Sequence, residues 1–200
     1  MRVRNEEEYS RRKNDIMEKC FACYAERGLG SVGMKELAKA CGFSAANLYT
    51  YFRDLDDLII QATSHCMKKV EDDFMERAPT DVSQLKDYIE KIPYWTAHEH
   101  GKKYRLMYQI YTRPKYHEYG KFYFEGINQR YSTYGRKLEK ILDIPADIIT
   151  PLIFIFVRAC VHYALFEDEY YLQAQLGVLK KGISMYLSQI KPETKEEHQP

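Results

Sequence analysis

Apolar side chains recur along this chain at spacings of three and four, and no stretch alternates them every second residue between turn dipeptides. That periodicity restricts the fold to packed helices and excludes a sheet. Ile16, Met17, Cys20, Phe21 and Tyr24 mark the apolar face of a first helix over 6–27, which Gly28 and Gly30 stop. Met34, Leu37, Ala38 and Cys41 mark a short second helix over 34–41, broken by Gly42. Ser44 is an N-cap for a third over 45–51, and Asp54 caps a fourth that runs towards Ala78 and ends at Pro79. The same rhythm predicts helices at 81–99, 103–112, 115–141, 146–166 and 169–190. Pro114 and Pro145 fall at helix starts, while Pro93 and Pro151 can kink helices or shift their boundaries.

Composition narrows the class. Apolar residues make up 45% of the 200, enough for a sizeable core. The longest apolar run, Ile148 to Val157, is broken by Thr150 and Pro151 and followed by Arg158, which reads as too short to span a bilayer. The charged start, with Arg2, Arg4 and Glu6 to Glu8, does not read as a secretory signal. Five irregularly spaced cysteines argue against a disulfide framework and for a reducing, cytoplasmic setting without membrane association. With 30 basic and 29 acidic side chains, any binding to nucleic acid must come from local patches.

The second and third helices, joined through Cys41-Gly42-Phe43-Ser44, have helix-turn-helix proportions. In such a unit the second helix enters the major groove of double-stranded DNA. The stretch 34–52 (MKELAKACGFSAANLYTYF), with Asp56-Asp57-Leu58 after it and Phe21 to Gly28 before it, closely resembles the DNA-binding segment of TetR/AcrR-family regulators. The resemblance covers the first quarter to third of the chain; the C-terminal part carries no matching motif. It implies an all-α protein with an N-terminal three-helix DNA-binding domain, 1–53, and a larger helical effector-binding and dimerisation domain, 54–190. A polar tail, 191–200, would follow.

Leu37, Ala38, Leu48 and Phe52 are expected to form the small core of the DNA-binding unit. Ser44, Ala45, Ala46, Asn47 and Thr50 are expected on the DNA side. Asn47 can pair with the edge of adenine at two points, and alanine or threonine methyls can meet thymine methyls. Tyr49 and Tyr51 resemble family positions that touch phosphates. Lys35, Lys39 and Arg53 add cationic contacts, as do Arg2, Arg4, Arg11, Arg12 and Lys13. Val32-Gly33, Ala45 and Leu55 depart from the family pattern, each replacing a polar or cationic group expected to face DNA. The operator sequence therefore does not transfer from relatives.

The resemblance also implies a ligand pocket among the middle helices, where aromatic residues are dense. Trp95, His98, Tyr104, Tyr108, Tyr111, Tyr123, Phe124 and Tyr131 are its candidate lining for a small-molecule effector; the alternative is ordinary core and surface packing. Residues 102–140 are basic and carry only Glu118, Glu125 and Glu139 as acids, so they read as a solvated basic face or as a site for an anionic effector. The last two helices hold Ile155, Ala159, Leu176, Leu179 and Ile183, read either as a homodimer interface or as completion of the monomer core. Two recognition helices related by symmetry would read half-sites about 34 Å apart, or a multiple of that.

No metal or cofactor is expected. Cys20-x-x-Cys23 lies within an amphipathic helix and no second pair follows it. His98 and His100 would point apart on a helix. The chain has no phosphate loop, nucleophile elbow or HExxH, so an enzyme is the remote alternative. The reading is a repressor released from its operator by an effector. An activator, or a DNA-binding protein without a ligand, is the alternative.

Overall fold

A computed structural model describes residues 6–190. Arg2 and Arg4, which the sequence offers as phosphate contacts, and the tail 191–200 lie outside the described residues. The order is α1 (Glu6–Arg27), α2 (Met34–Cys41), α3 (Ala45–Leu48), α4 (Leu55–Glu76), α5 (Leu85–Tyr111), α6 (His117–Leu142), α7 (Ala146–Phe166) and α8 (Glu169–Ile190). Among the described residues there is no strand, as the sequence implied.

Local chemistry sets the helix ends. Gly42 adopts φ 73° past α2, and the N–H of Phe43 donates to the Ala38 carbonyl at 2.8 Å, closing the turn between α2 and α3. Ser44 caps α3 by accepting from the Asn47 N–H at 3.2 Å, and Asp54 caps α4 by accepting from the Asp57 N–H at 2.8 Å. At the start of α2 the residue in the capping position is Gly33. It has no side chain to accept a bond, so only the reverse contact forms, from the Gly33 N–H to the Glu36 carboxylate at 3.0 Å.

Two elements differ from expectation. The third helix is α-helical only over Ala45–Leu48; residues 49–51 follow as a tight turn in which the Tyr51 N–H donates to the Leu48 carbonyl at 3.0 Å. The predicted helices at 81–99 and 103–112 are one helix, α5, which runs through Pro93 and Gly101. Gly101 is not a break. A Cβ there would sit 3.2 Å from the Ala164 carbonyl oxygen, so glycine lets α5 and α7 approach closely. Arg105, one turn on, donates to that same carbonyl at 2.9 Å.

α7 packs against α5, α6 and α8. An 18-residue window of its 21 residues has a mean hydropathy of 1.9, so the helix is long and apolar enough to cross a membrane by length and composition, and the apolar stretch is longer than the interrupted run suggested. One buried cluster joins Ile16, Leu37, Leu48, Phe52, Leu58 and Met67 of the N-terminal helices to Tyr104, Met107 and Ile110 of α5. A second gathers Phe74, Ile89, Phe156, Leu172, Leu176 and Leu179. Each fully buried side chain of this kind contributes about 1.5–3 kcal/mol. α4 contributes to both clusters, so the helix that follows the helix-turn-helix also forms part of the body's core.

Candidate functional site

The first candidate face is built on α2, α3 and the turn after it. Leu37, Ala38, Leu48 and Phe52 are buried, as expected, and hold the two short helices together. Lys35, Lys39, Ser44, Ala46, Asn47, Tyr49, Thr50 and Arg53 are exposed on this unit. Arg53 is 3.4 Å from Asp57, and the Thr50 hydroxyl donates back to the Asn47 carbonyl at 2.7 Å. Among the N-terminal cations, Arg11 is exposed, Arg12 pairs with Glu8 at 2.9 Å, and Lys13 lies 5.3 Å from the centre of the Phe52 ring.

Several expected DNA-facing groups are turned elsewhere. Ala45 is half-buried against the N-terminal core, because the first residue of so short a helix leans on α2. Tyr51 is half-buried and stacks on Tyr9 of α1, ring centres 4.9 Å apart, so its ring braces α1 against the turn after α3. Leu55 packs on the same core, and Val32 is buried within it. At these two positions the departures from the family pattern are core packing, not bare positions on a DNA face.

The second candidate site is a cavity of about 130 Å³ among α4, α5, α6 and α7. Tyr104, Tyr108, Tyr123, Phe124 and Tyr131 line it, five of the eight residues the sequence nominated. Tyr111 is buried with its ring 5.5 Å from that of Tyr123, and it lines an outer, open groove between α4 and α6 instead. Tyr123 and Ile127 border both spaces. Trp95 and His98 are not part of this cavity. The Trp95 ring is covered by the Arg77 guanidinium at 4.3 Å and meets the edge of His100. His98 is exposed beside Glu99 at 2.8 Å, in a surface cleft formed with α1 and α4.

Sequence reasoning missed Glu71, Asn128, Phe154, Val157 and Arg158 in the cavity wall. Glu71 matters most. It is only 4% exposed. It accepts from the Tyr131 hydroxyl, and from the Tyr123 hydroxyl at 3.5 Å. Burial pushes its carboxyl above the ordinary glutamate value, against the opposing pull of the Tyr131 hydrogen bond. Glu71 opens an acidic run, Glu71-Asp72-Asp73. The signal that singles out Glu71 is its register with Met67, Val70 and Phe74, all buried on one side of α4.

Polar ties connect α4 to the chain around α6 at two levels. Beside the cavity, Tyr131 bonds Glu71 and Arg130 bonds Asp72. At the end nearest the helix-turn-helix, the Tyr116 hydroxyl donates to Asp56 at 2.6 Å, and Lys115 pairs with the same carboxylate. Lys115 and Tyr116 together hold the Asp56 carboxyl below its ordinary value. The basic segment 102–140 therefore draws counter-charges from distant helices: Lys102 meets Glu26 at 2.7 Å, Lys115 meets Asp56 and Arg130 meets Asp72.

The residues expected at a dimer interface divide. Ala159, Leu176 and Leu179 are buried in the monomer core, and Leu179 and Ile183 line a small apolar hollow of about 60 Å³. Ile155 alone is exposed. The outer faces of α7 and α8 instead carry Ile148, Ile155 and Phe166, then Tyr170, Val178 and Met185. On α8 these last three are spaced by about two helical turns, so they fall on one stripe.

The family model for bacterial regulatory proteins of the tetR family matches residues 16–62, which span α1 to the first turns of α4. No curated protein matches the chain. Among solved structures, a transcriptional regulator of the TetR/AcrR type from Aquifex aeolicus VF5 is similar at 20% identity and TM-score 0.55, covering 88% of this chain and 99% of that one. The fatty acid degradation regulator FadR from Bacillus halodurans is similar at 16% identity and TM-score 0.56, covering 86% and 93%. Thermus thermophilus FadR, a TetR-family transcriptional repressor in complex with lauroyl-CoA, is similar at 14% identity and TM-score 0.52, covering 94% and 98%. The helix-turn-helix match over residues 16–62 and a fold similar over most of the length agree: the N-terminal part of this chain matches the tetR family of bacterial regulatory proteins, and the whole chain shares the fold of solved regulators of that type.

Proposed function

We propose that the protein is a homodimeric, cytoplasmic repressor that releases its operator when a small molecule occupies the cavity lined by Glu71 and Tyr131. One observation carries this reading: the cavity wall includes a buried carboxylate of α4, the helix that begins directly after the DNA-reading turn. A ligand that competes for the hydroxyls holding Glu71 acts on α4 itself. The Asp56 ties to Lys115 and Tyr116 give the turn that leads into α6 a second hold on α4, at its DNA end. A shift of α4 relative to α6 alters the spacing of two recognition helices in a dimer. The ligand must bind the released state more tightly than the DNA-bound one.

In this reading residues 1–53 contact DNA. Asn47 and Ala46 meet base edges; Lys35, Ser44, Tyr49, Thr50 and Arg53 meet phosphates or neighbouring bases. Residues 54–190 bind the effector and dimerise through the outer stripe of α7 and α8. The test is binding of the purified protein to its own upstream intergenic DNA, titrated with salt and followed by fluorescence anisotropy. Selective, salt-sensitive binding supports the reading. Equal affinity for that DNA, for fragments selected from the whole genome and for random DNA overturns it.

A further inference from the structure

We infer that the cavity takes a compact organic cation, an amine or quaternary ammonium, with the Glu71 carboxylate as its counter-charge and tyrosine and phenylalanine rings as its walls. The inference rests on the effector-cavity reading above and names the chemistry of its ligand.

A carboxylate in apolar surroundings is costly unless a cation or several hydrogen bonds compensate it. Glu71 is almost wholly buried, on the α4 face that also carries Met67, Val70 and Phe74. Among the described residues no basic side chain forms an ion pair with it. The nearby Arg130 is turned to Asp72, and Arg158 donates to the Tyr108 hydroxyl at 2.5 Å. Its oxygens receive only the phenol groups of Tyr131 and Tyr123. Burial drives the upward push on its carboxyl, which the Tyr131 hydrogen bond and the more distant charge of Arg130 only partly oppose.

Apart from the Arg158 guanidinium, which is engaged by the Tyr108 hydroxyl, the rest of the wall suits a cation. Tyr104, Tyr123, Phe124, Tyr131 and Phe154 surround the space, and aromatic faces attract positive charge most strongly where water is excluded. Each phenol oxygen can also accept from an ammonium N–H while donating to Glu71. A neutral apolar ligand would leave the carboxylate uncompensated, and an anion would be repelled by it. The outer groove and the cavity share Tyr123 and Ile127 in their walls.

Benzylamine, benzyl alcohol and benzoate have nearly the same shape and are cationic, neutral and anionic at neutral pH. Each is titrated by calorimetry into the full-length protein, the Glu71→Gln variant and the Tyr131→Phe variant, with circular dichroism confirming the fold of each. Benzylamine is expected to bind wild type at least roughly tenfold more tightly than benzyl alcohol, with benzoate weakest. Glu71→Gln should bring benzylamine and benzyl alcohol within about twofold of each other. Tyr131→Phe retains both carboxylate and ring, and should keep the preference for the cation. If benzyl alcohol or benzoate binds wild type as tightly as benzylamine, the cation assignment is overturned while the effector cavity stands. If a folded wild-type protein binds none of the three, both readings fail, because a cavity of this size and lining should admit benzyl alcohol.

Discussion

The Tyr131 hydroxyl on α6 donates to the buried Glu71 carboxylate on α4. This contact joins a core helix of the body to the helix that follows the helix-turn-helix. Replacing Glu71 with alanine strands two phenol groups beside an apolar cavity, a loss of about 1–3 kcal/mol. Glu71→Gln retains an acceptor and should cost less. The two differ in pH dependence as well. Because the folded carboxyl lies above its ordinary value, its favourable contribution is complete below the ordinary glutamate range and is lost as pH rises through the raised folded value. Wild type, free of ligand, should therefore lose stability relative to Glu71→Gln across that window. Thermal melts of both proteins between acid and neutral pH measure the difference.

Asn47 stands exposed on α3, held by its own backbone bonds to Ser44 and Thr50. Asn47→Ala should weaken binding to the selected operator by about 1–3 kcal/mol while leaving affinity for random DNA nearly unchanged. Lys39→Ala should weaken both alike and lower the salt dependence by about one ion. Anisotropy titrations at several salt concentrations separate the two effects. An equal loss on both DNAs for Asn47→Ala would remove it from base reading.

The outer and inner faces of α8 should respond differently to substitution. Leu176 is buried in the monomer core, so Leu176→Ala should cost about 2–5 kcal/mol in stability. Val178 is 63% exposed in the single chain, so Val178→Asp should leave the monomer fold intact and split the proposed dimer. Sedimentation velocity paired with chemical denaturation resolves both. A Val178→Asp protein that remains dimeric would move the interface off this stripe.

Gly120, near the start of α6, lies against Tyr111, where an added Cβ would come within 2.9 Å of the tyrosine Cβ. Gly120→Ala should destabilise the protein by about 1–3 kcal/mol, with the strain concentrated where α5 turns into α6. Gly126, on the same helix, has open space at its Cβ position, and Gly126→Ala should be neutral or stabilising. A denaturant series on the two variants checks the contrast.

Local patterns in the sequence determined most of the helices. The start and stop residues Gly28, Gly42, Ser44 and Asp54 act through bonds within a few residues of themselves, so their effect is legible without the fold. The same holds for the buried Leu37, Leu48 and Phe52, whose spacing follows from two short helices meeting across a tight turn. The continuity of α5 past Gly101 is not legible in the sequence, because the meaning of that glycine lies in a neighbour: only the approach of α7 shows what it permits. The surplus of basic residues in 102–140 likewise looked unpaired, since its partners Glu26, Asp56 and Asp72 are brought to it by packing. The place of Tyr51 depends on α1, which supplies Tyr9 as its stacking partner, and packing against α4 and α5 decides between the two readings of Ala159, Leu176 and Leu179 in favour of the monomer core. Helical periodicity says which side of a helix is apolar but not which neighbour covers it. Tertiary packing alone therefore decided that Glu71 lies inside an aromatic cavity instead of on an acidic surface.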